Sequence, residues 1–377
     1  MPQLGPANTK SRFRVALLGA GNISEGHAPA LQAIPELVET VAVCDINLDR
    51  AQTIQKKYGI PAAFGDLETM LQETRPDVVH VLLPPELHFN AGEQCLSAGC
   101  HLFMEKPFCV AVDECQALEA QAQRNGLHIG VNHNVVFMPA FLELIAALRA
   151  CRFGAIEQVQ VMFTAPMPGL EKAVASHWMF GDTGRVMLEI GPHPLSIPIR
   201  LLGRALKAPT AVSGEITLSN GVRFFKHWQT SLVCERGNAQ VTFSVGGSYA
   251  SITVFVLGED AQAFVDIRRN TIQLYEKTPY MRLDDMVNGF RNSWDMARRS
   301  LRAIKMYSQG AMGVAPRYEQ QAFSFRSSVA AFYRALAAGR TPRIDGAEGT
   351  RVVEACHMTI DSALDFAEQR EASFVAV

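Results

Sequence analysis

The first third of the chain alternates short apolar runs with helical stretches, and this alternation constrains the fold more than any other feature. Apolar runs that lie between helices predict a parallel sheet buried on both faces. We therefore predict a doubly wound α/β domain, of the Rossmann type, over residues 1–133. The predicted strands are Arg14–Leu18, Val38–Cys44, Asp77–Leu83, His101–Met104 and Leu127–Val131, and the predicted helices are Asp49–Tyr58, Glu86–Ala98 and Val112–Asn125.

A glycine-rich turn follows the first predicted strand. Gly19, Gly21 and Ser24 occupy the positions of the three glycines in a G-x-G-x-x-G motif. The first glycine permits a tight turn, the second lets the backbone approach a pyrophosphate, and the third position needs only a small residue. The N-terminus of the next helix offers backbone N–H groups to an anion. The turn therefore predicts a dinucleotide site.

Asp45 lies at the end of the second predicted strand and bears on the choice of cofactor. A carboxylate there accepts hydrogen bonds from both hydroxyls of an adenosine ribose and repels a 2′-phosphate. Ile46, Asn47 and Leu48 add no positive charge, and Arg50 is the one nearby cation. We predict NAD rather than NADP, with helix capping as the alternative role of Asp45.

Composition excludes several classes of protein. With 35 basic and 37 acidic residues, the net charge of −2 predicts no binding to nucleic acid or to an anionic membrane surface. No apolar run reaches the roughly 18 residues of a membrane-spanning helix, and residues 1–14 lack the apolar stretch of a secretory signal. We therefore expect a cytoplasmic protein. The eight cysteines form no C-x-x-C pair, which predicts buried free thiols and no metal site.

The second half of the chain predicts a different sheet. Polar and apolar residues alternate over 155–163 and 211–275, and Gly237-Asn238 and Gly246-Gly247 punctuate them as turns. We predict an α/β domain over 134–377 with a large open, mostly antiparallel sheet whose second face is solvated or covered by a partner. Helices are predicted over 283–309 and 316–339.

Longer motifs resemble those of the glucose–fructose oxidoreductase and inositol dehydrogenase (Gfo/Idh/MocA) family. The most specific is Glu105-Lys106-Pro107, the family signature, within the segment 77–110. The stretches 130–141 and 184–203 resemble the family's crossover and its D-x-G-x-H segment, in which Glu189 replaces the usual Asp and His193 is retained. The C-terminal run 331–363 matches its closing helices, so the likeness spans nearly the whole chain.

The resemblance implies a site for proton transfer and cofactor binding. A lysine at the carboxyl edge of the sheet donates to a substrate oxygen and, when partly buried, carries a proton. A helix that begins near His193 would keep the imidazole neutral as the general base, and Glu189 would share its face if the turn between them is helical. The implied catalytic residues are Lys106, His193 and Glu189, and the implied cofactor-binding residues are Gly19, Gly21, Asn22, Ile23, Asp45, Pro84, His88, Glu105 and Lys106.

Three functions follow from the resemblance. The first is an NAD-dependent oxidoreductase that transfers hydride between nicotinamide and a secondary hydroxyl or ketone of a sugar, cyclitol or glycoside. The alternatives are an NAD-dependent glycosidase that works by transient oxidation and elimination, and a non-catalytic NAD-binding sensor. Retention of Lys106 and His193 disfavours the sensor. Family members commonly pair through the second domain, so we also predict a homo-oligomer, a dimer or tetramer, formed through the C-terminal sheet.

Overall fold

The computed structural model describes residues 12–167, 170, 177–277, 283–312 and 320–375. Its contacts divide the chain into two units. The N-terminal unit contains Met1–Asn134 and Gln321–Val353, and the C-terminal unit contains Val135–Gln320 and Glu354–Val377. Among the described helices, none is both long and apolar enough to cross a membrane. The cysteines form no disulfide, and all except Cys151 are buried.

The N-terminal unit is built on a six-stranded sheet in which every pair is parallel. The spatial order is β3-β2-β1-β4-β5-β6, so the chain reverses its direction of travel between β1 and β4. This order confirms the predicted doubly wound fold. The strands are β1 (Phe13–Leu18), β2 (Val38–Cys44), β3 (Ala62–Phe64), β4 (Val78–Val81), β5 (His101–Met104) and β6 (Ile129–Val131).

Helices connect these strands, and two elements of the unit were not predicted. β3 and the helix after it are short, and β3 has only half-buried residues, so neither carries a strong periodic signal. Asp66 marks the beginning of that helix, because its carboxylate accepts a hydrogen bond from the backbone N–H of Thr69. The helices are α1 (Ser24–Gln32), α2 (Leu48–Tyr58), α3 (Leu67–Thr74), α4 (His88–Ser97) and α5 (Val112–Arg124).

A segment from late in the chain completes the core of the N-terminal unit. Helix α10 (Gln320–Ala337) places Phe325, Val329 and Tyr333 against Val15 and Leu17 of β1 in one apolar cluster. Residues 321–353 therefore belong to this unit, whereas the sequence analysis places them with the second domain. The helical periodicity of α10 identifies an apolar face but not the sheet on which that face packs.

The C-terminal unit contains an eight-stranded sheet in the order β14-β13-β12-β7-β11-β10-β8, with β9 paired to β10. Strands β7 and β11 pair in parallel and the other pairs are antiparallel, which confirms the predicted mostly antiparallel sheet. The strands are β7 (Ile156–Pro166), β8 (Ala205–Lys207), β9 (Thr210–Thr217), β10 (Arg223–Cys234), β11 (Gly237–Gly247), β12 (Ser251–Gly258), β13 (Ala261–Asp266) and β14 (Thr271–Glu276).

The two faces of this sheet differ. One face carries Val159, Val161 and Phe243, which are buried, and the other exposes Met162 and Phe264. Assembly of copies through the exposed face stays a prediction. The helices are α6 (Pro139–Arg149), α7 (Arg185–Glu189), α8 (Pro192–Leu202), α9 (Asp284–Ala311) and α11 (Gly346–Val375), whose first residues belong to the N-terminal unit. Residues 316–319 of the predicted helix 316–339 lie outside the described residues.

Candidate active site

The predicted cofactor residues gather at the carboxyl edge of the parallel sheet. Gly19 directly follows β1, Asp45 follows β2 and Glu105-Lys106 follows β5, while Pro84 lies three residues after the last residue of β4. All these strands are parallel, so their ends lie along the same edge. In open α/β sheets ligands bind at this edge, where the strand order reverses. The reversal lies between β1 and β4, directly beside the glycine turn.

Gly19 and Gly21 have different structural reasons for lacking a side chain. Gly19 has φ of +108°, and a Cβ there would lie 2.6 Å from the carbonyl oxygen of Leu82. The turn therefore needs glycine at position 19 for folding. A Cβ at Gly21 would meet no protein atom within 4 Å, so open space lies in front of its backbone. That space fits the close approach of a pyrophosphate, as the motif predicts.

Helix α1 begins at this turn and points its N-terminus toward the same space. No side chain of the described residues caps the helix. The hydroxyl of Ser24 donates instead to the carbonyl oxygen of Gly21, at 2.7 Å, which closes the turn behind the backbone N–H groups. Asn22 and Ile23 directly precede the helix and lie at or near the surface. An uncapped helix N-terminus after a glycine turn is the arrangement that binds phosphate groups.

Asp45 holds the glycine turn through its carboxylate. The backbone N–H of Ala20 donates to Oδ2 at 2.8 Å, and that of Asn47 donates to Oδ1 at 2.8 Å. The residue is about 9% exposed, so it lies just below the surface at the end of β2. Each carboxylate oxygen accepts two hydrogen bonds or more, so capacity remains for the hydroxyls of a ribose. The capping role belongs to Asn47, whose side chain accepts from the N–H of Arg50 in α2.

Glu105 is buried beneath Lys106 and is held by donors of the protein itself. The Nδ2 group of Asn132 donates to its Oε1 at 2.6 Å, and the backbone N–H of Lys106 donates to its Oε2 at 3.3 Å. His27 Nε2 lies 2.7 Å from the same Oε1. Burial raises the pKa of Glu105, but the hydrogen bonds from His27 and Asn132 and the charge of Lys106 outweigh it and lower the pKa. Glu105 is therefore a buried carboxylate, and its contact with a cofactor stays a prediction.

His88 is also fully buried, although the sequence predicts it as a cofactor contact. Its Nε2 lies 2.9 Å from the carbonyl oxygen of Leu83, and its Nδ1 lies 2.9 Å and 3.1 Å from those of Pro107 and Phe108. The ring thus connects the segment after β4 to the turn that carries Lys106. Contact of His88 with a cofactor stays a prediction.

Three consecutive residues after β6 carry buried polar atoms. Asn132 Oδ1, both ring nitrogens of His133 and Asn134 Oδ1 have no hydrogen-bond partner among the described residues. Burial lowers the pKa of His133 to about 4, so the imidazole is neutral near pH 7. Buried polar atoms in native proteins are nearly always satisfied. These atoms therefore indicate a ligand or ordered water beside Glu105, and His133 joins the candidate residues.

In the C-terminal unit, Glu189 is held by an aromatic donor. The indole Nε1 of Trp178 donates to Oε2 of Glu189 at 2.7 Å, and the guanidinium of Arg185 lies over the Trp178 ring at 5.8 Å. Glu189 is half-buried. The indole thus fixes one oxygen of the carboxylate and leaves the other to interact elsewhere. No local sequence signal links Trp178 to Glu189.

His193 lies in the first turn of α8, directly after Pro192, as the proline pattern predicts. Its ring stacks on that of Phe163 in β7, with centroids 6.0 Å apart and planes within 7°. Helix α7 ends at Glu189 and α8 begins at Pro192. Ile190 and Gly191 between them both have right-handed helical dihedral angles, and the backbone N–H of His193 donates to the carbonyl oxygen of Ile190 at 3.1 Å. A shared face for Glu189 and His193 stays a prediction.

The N-terminal unit fits a dinucleotide. The open space before Gly21 and the uncapped N-terminus of α1 match a pyrophosphate, and the carboxylate of Asp45 beside them matches a ribose. The family model GFO_IDH_MocA, "Oxidoreductase family, NAD-binding Rossmann fold", matches residues 13–133. Residues 13–133 therefore belong to the NAD-binding Rossmann family of the Gfo/Idh/MocA oxidoreductases.

Several relatives of this family resemble the chain. D-glucoside 3-dehydrogenase of Escherichia coli is 34% identical over 120 residues, which cover 32% of this chain and 34% of that enzyme. The chain thus aligns with only about a third of that enzyme's length. UDP-N-acetylglucosamine 3-dehydrogenase of Acidithiobacillus ferrooxidans is 27% identical over 70% of this chain and 77% of that enzyme. The WlbA dehydrogenase of Bordetella pertussis, solved with NADH and UDP-GlcNAcA, has the same fold, with a TM-score of 0.74, 18% identity and coverage of 94% and 96%.

Replacement by alanine should have opposite effects at the two glycines of the glycine turn. Gly19→Ala should lower the free energy of unfolding by about 2 kcal/mol or more, because of its positive φ and the contact with Leu82. Gly21→Ala should leave stability unchanged and weaken NAD binding, since its methyl group would fill the open space. Urea unfolding and fluorescence titration of both variants measure this. Full NAD affinity in Gly21→Ala would contradict the placement of the pyrophosphate.

Proposed function

We propose that the chain is an NAD-dependent dehydrogenase that transfers hydride to or from a secondary hydroxyl of a sugar. One observation carries this proposal: the open glycine turn, Asp45 and Lys106 follow three strands of one parallel sheet at the same edge. A cofactor laid along that edge from the turn would bring its reactive end toward the later strands. Membership of an NAD-binding oxidoreductase family supports the same assignment.

The residues at this edge have separable roles toward the cofactor. The turn at Gly21 and the N-terminus of α1 hold the pyrophosphate, and Asp45 accepts hydrogen bonds from the adenosine ribose. NAD, when bound, supplies the hydride acceptor. Pro84 lies exposed at the same edge and supplies apolar contact.

The chain's own residues then handle the proton of the hydroxyl. Lys106 is half-buried at the edge and donates to the substrate oxygen, which stabilises developing negative charge there. His193 acts as the general base that takes the hydroxyl proton. Glu189, fixed by Trp178, orients the base or binds a neighbouring hydroxyl. The family resemblance assigns Lys106 and His193 to one reaction, and both residue types suit the assigned chemistry.

The names of two relatives support a narrower substrate class. The two enzymes named above act, by their names, at position 3 of a D-glucoside and of a nucleotide-linked glucosamine. We infer that this chain oxidises the corresponding hydroxyl of a hexose whose anomeric position carries a substituent. His133 and Asn134, with polar atoms that lack partners among the described residues, fit a ligand rich in hydroxyl groups.

A comparison of three substrate sets tests the proposal. The protein is incubated with NAD and free hexoses, aryl or alkyl glucosides, or UDP-sugars, while NADH absorbance and glycoside cleavage are followed together. NADH formation with a ketosugar product supports the dehydrogenase. Cleavage without accumulated NADH would replace it by the oxidation–elimination glycosidase. NAD binding without either reaction would favour the sensor.

Cofactor choice gives a separate prediction. The unmodified protein should bind NAD(H) more tightly than NADP(H), because Asp45 repels a 2′-phosphate. Asp45→Ser should narrow the difference between the two cofactors. Fluorescence titration of both cofactors on both proteins measures it. Asp66→Ser is the matched control. Asp66 is also an acidic residue between a strand and a helix, but it follows β3 rather than β2. Equal affinities in the unmodified protein would exclude the assigned role of Asp45.

A further inference from the structure

A hydrogen-bonded line of four side chains crosses the core of the N-terminal unit and ends at Glu105. His27 Nε2 lies 2.7 Å from Glu105 Oε1, His27 Nδ1 lies 2.9 Å from His80 Nδ1, and His80 Nε2 lies 2.8 Å from the Tyr333 hydroxyl. His27, His80 and Tyr333 have no exposed surface, and Glu105 is about 6% exposed. We call this line the Tyr333–Glu105 chain.

The residues around the chain are aromatic. Phe103 and Phe325 pack edge-on against the ring of His27, and Phe103 also packs against His80. The ring of Tyr333 stacks on His80 with planes within 15°. Polar groups in such surroundings depend on each other for hydrogen bonds, because water is excluded. Every donor and acceptor in the chain must therefore be matched.

The ionised carboxylate of Glu105 sets the direction of the donors. A carboxylate only accepts, so His27 must donate through Nε2. Burial lowers the pKa of His80 well below its ordinary value, so His80 is neutral. Burial raises the pKa of Tyr333, so its hydroxyl keeps its proton. Each group therefore has a defined protonation state from which the directions follow.

One arrangement of the protons gives every donor in the line an acceptor and leaves the Glu105 carboxylate as its single charge. The Tyr333 hydroxyl donates to His80 Nε2, His80 Nδ1–H donates to His27 Nδ1, and His27 Nε2–H donates to Glu105. The reverse arrangement requires a doubly protonated His27. It also leaves the hydroxyl hydrogen of Tyr333 with no acceptor, since His80 is its only hydrogen-bond partner among the described residues. A buried donor without an acceptor is unfavourable, because it loses its hydrogen bond to water and gains none in return, and this favours the first arrangement.

The Tyr333–Glu105 chain ends inside the core and so does not lead a proton to solvent. Its end at Tyr333 is fully buried. Its other end is the carboxylate that accepts the backbone N–H of Lys106, at 3.3 Å. The Tyr333–Glu105 chain instead fixes the tautomer of His27 and, through His27, the position of the Glu105 carboxylate.

We propose that His80 and Tyr333 are positioning residues for Lys106, acting through His27 and Glu105. This inference rests on the proposed function of Lys106. His80 is the one polar residue in β4, and Tyr333 comes from α10, late in the chain. Burying these two polar groups removes them from water, which is a free-energy cost that an apolar core would avoid. The carboxylate beneath Lys106 must stay in one position, because a displacement near 1 Å in a catalytic group lowers turnover by about 10²-fold.

The first test reads protonation directly. The full-length protein with NAD is labelled with ¹⁵N-histidine, and long-range ¹H–¹⁵N spectra are recorded from pH 6 to 8. His27 should carry its proton on Nε2 and His80 on Nδ1 throughout. A doubly protonated His27, or the opposite tautomers, would overturn the direction of the chain.

The second test uses Tyr333→Phe, which removes the hydroxyl and keeps the ring. Tyr58→Phe is the matched control, because it removes a hydroxyl bonded to Glu25 on the surface of the same unit. Tyr333→Phe should lower kcat about tenfold, leave the KM for NAD unchanged and shift the backbone amide signal of ¹⁵N-labelled Lys106. Tyr58→Phe should change none of these. The Lys106 signal is assigned by its loss in Lys106→Arg.

The two proposals fail in different ways. If the unmodified protein oxidises no sugar but Tyr333→Phe shifts the Lys106 amide, the positioning stands and the proposed function falls. If the protein turns over and Tyr333→Phe keeps both its kcat and its Lys106 signal, the chain is only structural and this inference is wrong.

Discussion

Lys106→Ala should lower the turnover number on the best sugar substrate by about 10²–10⁴-fold, which is the range typical of a group that assists proton transfer. NAD affinity should change little, because the pyrophosphate and ribose are held at Gly21, α1 and Asp45. Steady-state kinetics with a separate cofactor titration measure both quantities. The two readouts distinguish loss of chemistry from loss of cofactor.

Lys207→Ala is the matched control for this variant. Lys207 is an exposed lysine in β8 of the C-terminal unit, so its removal subtracts the same charge from the chain. The control should keep full activity. Normal turnover in Lys106→Ala would show that the most specific motif of the sequence has a structural role only.

His193→Ala should lose most of the rate and flatten the dependence of kcat/KM on pH near neutrality. A general base contributes about 10²–10⁴-fold to rate, and its titration produces one limb of the pH profile. The ring of His193 stacks on Phe163 in a partly open position, so its removal leaves the sheet beneath it intact. The profile is recorded from pH 5 to 9 for both proteins.

Two further variants give this result its controls. His227→Ala removes an exposed histidine from β10 of the same unit and should leave the profile unchanged. Glu189→Asp should keep the fold and NAD affinity but change kcat or substrate preference, because the shorter side chain withdraws the carboxylate from Trp178. An unaltered pH profile in His193→Ala would exclude the histidine as the base.

The order of elements at the carboxyl edge was predictable because it depends on local signals. The glycine turn, Asp45 and Lys106 each follow an apolar run directly, and parallel strands bring such positions together without further information. The antiparallel sheet is also predictable from a local signal, the alternation of polar and apolar residues over 211–275. Element ends differ from the prediction by a few residues, as at β4, which spans Val78–Val81 rather than Asp77–Leu83.

Contacts distant in sequence could not be predicted in this way. His80 and Tyr333 are 253 positions apart, and no periodicity relates them. The pairing of Trp178 with Glu189 depends on a turn whose shape the sequence does not specify. His80 did carry one signal, since a histidine in a strand buried on both faces requires a polar partner. That signal shows the need for a partner but not its identity.

The late return of residues 321–353 to the N-terminal unit has a consequence for how the protein is made. Domains generally fold as units during synthesis, from the N-terminus onward. Here the first sheet leaves the ribosome without Phe325, Val329 and Tyr333, which complete its apolar cluster. A nascent chain that has reached Asn134 therefore leaves apolar surface on β1 uncovered and His80 Nε2 without Tyr333 until residues 321–353 have been translated. The cofactor unit thus begins first in synthesis but is completed only after residues 135–320 of the other unit have been made.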